Sequence, residues 1–263
     1  MRSRQNALVK RFRDIARAGR LGDDVLLDGP HLVGEALASS VDVQVVAIAA
    51  SAAEGRHVRL ARGCAAAGVR VITVPDALLE ALSPVRQTTG VVAIAQMRPA
   101  TIESALRHPP QLVLVLDGVQ DPGNVGAIIR AAEGCGATAV ITGPGTADPL
   151  GWKALRGSMG STFRLPVAGA VSLASALDAA RSAGLRIFST VPRGGTPLSR
   201  ADLSQPAAIV LGGEGAGVQA DTRTRADEEL TIPMQPAVES LNVAIAAALV
   251  VYEASRQRLH VAV

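Results

Sequence analysis

Short apolar runs alternate with mixed polar and apolar segments along the whole chain. In the first 98 residues the continuous apolar runs predict strands, and the segments between them predict helices. The predicted strands are residues 25–27, 43–49, 69–74 and 91–97, and the predicted helices are residues 5–18, 30–38, 55–67 and a short helix ending near Ser83. This order predicts a small N-terminal α/β/α sandwich over residues 1–98.

The alternation starts again after a proline-containing stretch, residues 99–110, which is predicted to be a linker. Beyond it, strands are predicted at 112–116, 139–142, 185–190, 208–211 and 230–232, and helices at about 124–134, 173–183 and 243–257. Unbroken apolar runs such as Leu-Val-Leu-Val-Leu are typical of parallel strands that are buried on both faces. The predicted fold class is therefore α/β, with a second domain over residues 111–263.

Positive charge is concentrated at the N-terminus. The net charge of the chain is +3, whereas the first twenty residues alone carry +6. Such a patch indicates a phosphate-bearing partner, although a solvated helix face has the same pattern. Aromatic residues make up only 2% of the chain, which argues against stacking platforms for single-stranded bases. The cations predicted to contact RNA phosphates are Arg4, Lys10, Arg11, Arg13 and Arg17.

Cysteine use and hydropathy indicate the compartment. Cys64 and Cys135 are far apart and lack metal-ligand spacing, so we expect reduced core residues and no metal site. No apolar stretch of a signal peptide follows the basic N-terminus. The apolar run at 243–251 is too short to span a bilayer. A cytoplasmic protein without a membrane partner is predicted.

The first motif, residues 116–130, puts a Pro-Gly loop between a strand and a helix. Asn124 suits the N-cap position of that helix, and Gly126 would allow a close approach to its first turn. Arg130 lies deeper in the helix. Ligands of open α/β sheets bind at the carboxyl ends of strands, so the motif indicates a site. An ordinary turn followed by a surface arginine would have the same sequence.

The second motif, residues 209–218, surrounds a carboxylate with four glycines after a strand. Glycines allow the backbone to wrap closely around a ligand. Glu214 would repel a pyrophosphate, and the spacing G-G-E-G-x-G differs from the dinucleotide-binding G-x-G-x-x-G. A cofactor without phosphate is favoured; a flexible glycine-rich turn is the alternative.

The third motif begins where Pro233 stops a strand, and it continues through a short loop into an alanine-rich helix. Ser240 and Asn242 both suit the N-cap region of this helix, which is a sufficient structural role for them. The helix is apolar nearly all round. It is therefore predicted to be buried, for example between subunits.

In this order, the three motifs resemble the SpoU (TrmH) family of RNA ribose 2′-O-methyltransferases, which belongs to the SPOUT superfamily. The resemblance covers the N-terminal domain, where residues 3–6 and 27–36 are similar to the family's RNA substrate-binding domain. It implies a deep trefoil knot in the C-terminal α/β domain, a homodimer through that domain, and S-adenosylmethionine as cofactor. Structured RNA, with 23S ribosomal RNA as the first choice, is the implied substrate.

The resemblance also implies roles for particular residues. The catalytic positions would be Asn124, Arg130, Glu214, Ser240 and Asn242. The cofactor would contact Thr190, Val191, Gly212, Gly213, Gly215, Ile232, Pro233 and Leu241. Arg156 and Ser158 match a further stretch that would contact the RNA.

The implied reaction is an in-line attack of a ribose 2′-hydroxyl on a sulfonium methyl, for which orientation supplies much of the rate. No histidine lies in a motif, so the usual general base is absent. A guanidinium, whose pKa is above about 12, is a poor base. We therefore hypothesise that Arg130 binds the RNA phosphate and stabilises the developing 2′-oxyanion, with the other four catalytic residues fixing its position.

The sequence leaves three alternatives open. The RNA could be transfer RNA. The chain could also be a non-catalytic RNA-binding member of the same fold. A nicotinamide-dependent oxidoreductase is a third reading, but it would need a G-x-G-x-x-G after the first strand of the second domain and an acidic residue about twenty positions on, and neither is present.

Overall fold

The computed structural model describes residues 7–39, 41–53, 55–107 and 112–261. The chain forms two compact units. The first runs to Arg98 and includes Leu150–Phe163, and the second comprises Pro99–Pro149 and Arg164–Val263.

The strands in the described residues are β1 (Arg20–Leu21), β2 (Asp24–Asp28), β3 (Asp42–Ala49), β4 (Arg70–Val74), β5 (Val91–Gln96), β6 (Leu112–Asp117), β7 (Ala139–Thr142), β8 (Val167–Gly169), β9 (Arg186–Thr190), β10 (Thr196–Pro197), β11 (Ala207–Gly212) and β12 (Glu228–Thr231). The helices are α1 (Ala7–Ala18), α2 (Pro30–Ala38), α3 (Ala50–Ala53), α4 (Val58–Ala66), α5 (Asp76–Leu82), α6 (Ile102–Ala105), α7 (Pro122–Gly134), α8 (Trp152–Ser158), α9 (Leu173–Ser182), α10 (Ala220–Arg223) and α11 (Val243–Val261).

The first unit is built on a five-stranded sheet of order β1-β2-β5-β3-β4. Its strands pair antiparallel except β3 and β4, which are parallel. Helix α1 buries Val9, Phe12 and Ile15, because apolar residues three positions apart lie on one face of a helix. The polar residues of α1 remain on the opposite side. The predicted α/β/α sandwich and its four main strands are confirmed.

Residues 150–163 pack with the first unit, although the predicted division put them in the second domain. Leu150 and Leu155 are buried in the same core as α1 and the five-stranded sheet. The indole Nε1 of Trp152 donates a hydrogen bond to the Ala16 carbonyl at 3.1 Å. The burial of these apolar side chains and the hydrogen bond to α1 place residues 150–163 in the first unit, although their neighbours in sequence belong to the second.

The second unit contains a seven-stranded sheet of order β10-β12-β9-β11-β6-β7-β8, and every neighbouring pair is parallel. All six residues of β6 are buried, as the Leu-Val-Leu-Val-Leu run predicted. Parallel strands end at one edge of the sheet, so β6, β9, β11 and β12 bring their C-terminal residues together there. This edge carries the motifs. The trefoil knot stays a prediction.

The stretch predicted as a linker is partly folded. Thr101 caps helix α6 by accepting a hydrogen bond from the Ser104 amide at 3.1 Å. Ala105 and Leu106 are buried in the core of the second unit. Residues 108–110 of the predicted linker lie outside the described residues. In the part of the chain that is described, no helix is long and apolar enough to cross a membrane.

Candidate active site

A cavity of about 410 Å³ opens at the carboxyl edge of the parallel sheet. It lies where β9, β11 and β12 end, together with the loop that precedes α11. Its size falls within the roughly 300–1,000 Å³ typical of small-molecule sites. The end of β9, the second motif and the segment from β12 into α11 line it, chiefly with Thr190, Val191, Gly212, Gly213, Glu214, Gly215, Gly217, Ile232, Ser240, Leu241, Asn242 and Val250.

The glycines of the second motif are required by close backbone packing. A Cβ on Gly212 would lie 2.0 Å from the Gly217 carbonyl carbon, and a Cβ on Gly213 would lie 2.0 Å from the Gly118 oxygen. Gly215 has φ +85 and Gly217 has φ +65, a region that disfavours other residues. The loop is therefore a tightly built wall of the cavity, and the alternative of a merely flexible turn does not fit it.

Three predicted catalytic residues form one hydrogen-bonded cluster. The Asn124 Nδ2 donates to Glu214 Oε1, and Asn242 Nδ2 donates to Asn124 Oδ1 at 3.2 Å. Glu214 and Asn242 line the cavity, and Asn124 joins them. Each of the three motifs contributes one member, so the cluster forms only when their strands lie side by side.

The structure corrects the predicted start of α7. Asp121 is the N-cap, and its side chain accepts a hydrogen bond from the Asn124 amide at 2.9 Å. Pro122 follows at the first helical position, which it favours. The amide side chain of Asn124 is consequently not used for capping, and it is available to Glu214 and Asn242.

The third motif behaves as predicted at its helix start. Asn242 caps α11, since its Oδ1 accepts from the amides of Ala244 at 2.9 Å and Ile245 at 3.3 Å. The Asn242 carboxamide therefore holds the helix with its oxygen and Asn124 with its nitrogen. Ser240 is exposed and lines the cavity.

Seven of the eight residues predicted to contact the cofactor line this cavity. Thr190 also fixes the strand pairing, because its hydroxyl donates to the Val210 carbonyl at 3.0 Å. Pro233 is the exception: it is exposed and is not among the lining residues, since it follows Ile232 at the point where the chain leaves the sheet.

Two protein-family models match this chain. Residues 111–252 match the model of the SpoU rRNA methylase family, and residues 26–101 match the RNA 2′-O ribose methyltransferase substrate-binding domain. The chain belongs to the SpoU rRNA methylase family. The prediction of a methyltransferase with a substrate-binding domain ahead of the SpoU domain is confirmed.

Relatives and solved structures agree with this assignment. The chain is 33% identical to the 23S rRNA (guanosine(2553)-2′-O)-methyltransferase RlmP of Bacillus subtilis, over 86% of each chain. It is 38% identical to a 23S rRNA (guanosine-2′-O-)-methyltransferase RlmB from Burkholderia sp, over 74% of this chain and 81% of the relative. The SpoU methyltransferase AviRb of Streptomyces viridochromogenes, solved with AdoMet, superposes with a TM-score of 0.84 at 27% identity, covering 97% of this chain and 99% of AviRb.

Arg130 of this SpoU chain stands apart from the hydrogen-bonded cluster. It is exposed on α7, six residues beyond Asn124, and it does not line the cavity. Within the part of the chain that the structure describes, it makes no hydrogen bond or ion pair. Its guanidinium donors are therefore not engaged by any residue that the structure describes. The predicted fixing of Arg130 by Asn124, Glu214, Ser240 and Asn242 is not seen.

Three of the N-terminal cations form an exposed stripe. Lys10, Arg13 and Arg17 are exposed on α1 at spacings of three and four residues, which puts them on one face. Arg11 is engaged elsewhere, because its Nε and Nη2 each donate to Asp24 at 2.7 Å. This pairing raises the pKa of Arg11 and lowers the pKa of Asp24. The charge of Arg11 is thus matched by Asp24 within the chain, and Arg4 lies outside the described residues.

The two residues of α8 that were predicted to contact RNA differ in position. Ser158 is fully buried, and its hydroxyl donates to the Leu155 carbonyl at 2.9 Å, so it presents nothing to RNA. Packing of α8 against β2 within the first unit explains this. Arg156 is half exposed and pairs with the buried Asp28. It remains available to a phosphate.

Arg193 is a site-proximal residue that the sequence analysis missed. Its Nη2 donates to the Pro236 carbonyl at 2.9 Å and to the Val238 carbonyl at 3.0 Å. These bonds tie the segment after β9 to the loop that leads to Ser240. No local pattern signals such a contact, since its partners are backbone carbonyls more than forty positions away.

Proposed function

We propose that this chain transfers a methyl group from S-adenosylmethionine to a ribose 2′-hydroxyl of 23S ribosomal RNA. The observation that carries the proposal is the Asn124–Glu214–Asn242 cluster at the wall of the glycine-lined cavity. The names of the relatives RlmP and RlmB support both the ribose 2′-hydroxyl and the 23S RNA. An RNA substrate of this kind also supports a cytoplasmic location.

The cavity fits S-adenosylmethionine in size and in chemistry. Val191, Leu211 and Val250 supply an apolar wall. The tightly packed backbone of residues 213–218, here called the glycine loop, supplies N–H and C=O groups. Glu214 and Arg223 both line the cavity, and the charge of Arg223 is matched by Glu229 at 2.7 Å. The Glu214 carboxylate therefore favours a cationic ligand over a pyrophosphate. AviRb, which superposes over nearly the whole chain, was solved with AdoMet. The nicotinamide alternative requires a phosphate-binding turn that this loop does not provide.

The protein's task in this reaction is to align an incoming hydroxyl and to stabilise the charge that develops on it. The bound cofactor supplies a methyl group already activated by a positive sulfur. Asn124, Glu214 and Asn242 orient one another at the cavity wall. They thereby form a fixed surface on which the ribose would bind. Ser240 lines the same cavity and presents a hydroxyl. Arg130 does not line the cavity, so its proposed contacts with an RNA phosphate and with the developing 2′-oxyanion require the bound RNA to bring the ribose within its reach.

The SpoU unit acts as a homodimer in this proposal. Helix α11 exposes Ile245, Leu249 and Tyr252, whose exposed fractions are 55%, 42% and 64%. Their spacing of four and three residues puts them on one helix face. A second copy of the chain would bury that apolar stripe, and the dimer would then contain two copies of Arg130. The knotted topology belongs to the same proposal.

Labelled methyl transfer to separate rRNA and tRNA pools, followed by nucleoside analysis, tests the function. The expected result is a 2′-O-methylated nucleoside in 23S rRNA extracted from cells lacking the enzyme. The matched control is the Glu214→Gln variant, which keeps the side-chain size and removes the charge. Label in tRNA alone would replace the substrate with tRNA, and label on a base would refute ribose methylation. RNA binding without transfer to either pool would favour the non-catalytic alternative.

A further inference from the structure

Asp117 is a buried carboxylate that none of the proposed catalytic or cofactor-contacting roles uses. It is the last residue of β6, and its exposed fraction is 1%. Strand register places it beside Gly212, the last residue of β11. A carboxylate removed from water at the end of an apolar strand is unfavourable unless hydrogen bonds compensate it. Its hydrogen bonds therefore indicate its role.

Those bonds hold both ends of the glycine loop. The Asp117 carbonyl accepts from the Gly213 amide at 2.8 Å, where the loop begins. Its Oδ2 accepts from the Gln219 amide at 2.9 Å and its Oδ1 accepts from Gln219 Nε2 at 3.0 Å, where the loop ends. One residue thus joins two points of the chain that lie six positions apart.

The segment between those points is the wall of the cavity. Residues 213–218 all line it, and Gly217 closes the loop internally by donating to the Gly213 carbonyl at 3.0 Å. Because glycine can adopt φ values of either sign, a glycine-rich sequence does not by itself select the loop shape in which Gly215 and Gly217 have positive φ. The Asp117 carboxylate supplies the missing restraint at Gln219.

We propose that Asp117 is a positioning residue that sets the opening of the glycine loop and thereby the affinity for the cofactor. The proposal rests on the proposed S-adenosylmethionine binding. Asp117 acts through hydrogen bonds and not through its charge. An asparagine at 117 keeps an oxygen for the Gln219 amide, and its NH₂ group can donate to the Gln219 side-chain oxygen once that carboxamide is flipped.

Four variants separate positioning from general stability. Asp117→Ala removes both side-chain bonds, Asp117→Asn retains the possibility of both, and Gln219→Ala removes only the one to Nε2. Thr142→Val is the matched control: Thr142 is also buried at a strand end, and its hydroxyl donates to the Ala168 carbonyl at 3.3 Å, on the side of β7 that faces away from β11. For the wild type and each variant, S-adenosylmethionine binding is measured by calorimetry, and hydrogen exchange is measured for residues 213–219. Each protein is used in the oligomeric state in which it is purified.

Asp117→Ala should weaken cofactor binding at least about tenfold and speed loop exchange by a similar factor, as expected for the loss of bonds to a charged group. Asp117→Asn should stay within about threefold of wild type, and Gln219→Ala should fall between them. Thr142→Val should lower the melting temperature without changing either quantity. Unchanged loop exchange in Asp117→Ala, or an equal change in Thr142→Val, would overturn the proposal. If wild type binds no S-adenosylmethionine, the proposed function fails, and loop exchange alone decides the role of Asp117.

Discussion

The Arg156 Nη1 lies 3.3 Å from the Asp28 Oδ2, and the two side chains differ sharply in exposure. Asp28 is 3% exposed and Arg156 is 49% exposed. The Ser83 hydroxyl donates to the other carboxylate oxygen at 3.0 Å. Since a guanidinium has five N–H donors, Arg156 is held by Asp28 and still offers donors to solvent. Asp28 therefore orients a cation on the surface of the first unit.

Replacing Asp28 by Asn should weaken RNA binding roughly two- to tenfold, the cost of ordering one released side chain at a binding surface. Simple electrostatics predicts the opposite, because the variant loses a negative charge. Asp42→Asn, on the exposed rim of the same unit, is the control for that charge effect. Filter binding of a 23S fragment measures both. If the two variants bind RNA equally well, Arg156 is not oriented by Asp28 for RNA.

The same variant should change how stability depends on pH. Burial raises the pKa of Asp28 above its ordinary value of 3.8, while Ser83 and Arg156 act in the opposite direction. A raised pKa means that ionisation costs more in the folded than in the unfolded chain. The wild type should therefore lose stability relative to Asp28→Asn as pH rises from 3.8 through the raised pKa. Urea midpoints at several pH values test this, and a constant difference between the two proteins would contradict it.

The exposed stripe on α1 should contribute to the salt dependence of RNA binding. Changing Lys10, Arg13 and Arg17 together to Gln should reduce the slope of log affinity against log salt by about 2, since each phosphate contact contributes about 0.7–0.9. Arg11→Gln on the same helix is the control. Because Arg11 pairs with Asp24, its loss should lower stability and leave the slope nearly unchanged. An unaltered slope in the triple variant would leave the stripe as a solvated face.

Asn124→Ala should lower kcat by about 10- to 100-fold through lost orientation, with S-adenosylmethionine affinity within about threefold of wild type. Asn124 bonds Glu214 and Asn242 but does not line the cavity, which is why binding should persist. Asp121→Ala is the control, since it removes the N-cap of the same helix at a cost of about 1 kcal/mol. If Asp121→Ala reduced kcat as strongly, helix stability would explain the effect.

Leu249→Glu should convert the protein to monomers, because it puts a charge in the exposed apolar stripe of α11. Sedimentation velocity provides the measurement. Val171→Glu is the control, since Val171 is an apolar residue of the same unit that is 98% exposed and distant in sequence from α11. A wild-type monomer, or a Leu249→Glu dimer, would show that this stripe is not the dimer interface.

Local signals predicted most elements and part of the site. The unbroken apolar runs located β6 and β11. Asn and Asp cap helices equally well, so residue type alone does not distinguish Asn124 from Asp121 as the N-cap of α7. The proline at 122 was the local signal that favoured Asp121.

The short elements could not be predicted in this way. Strands β8 and β10 are only three and two residues long, and α8 follows no amphipathic pattern of useful length. Their backbone conformation is selected by pairing partners and by tertiary burial, as for Trp152 against α1. Helix α11 is predicted to be buried all round, for example between subunits, and in the single chain Ile245, Leu249 and Tyr252 are exposed on one face. Burial of that face by a second copy stays a prediction.

The α/β class, the order of the main strands, the glycine-rich loop and the motifs of the SpoU family could all be predicted from the sequence alone. Periodicity, turn residues and motif spacing are local properties, so they can be read along the chain. The contact of Asn124 with Glu214, the contact of Asp117 with Gln219 and the place of residues 150–163 in the first unit became visible in the folded chain. Such contacts depend on strand register and on which apolar surfaces bury one another, and neither is encoded at any fixed separation along the chain.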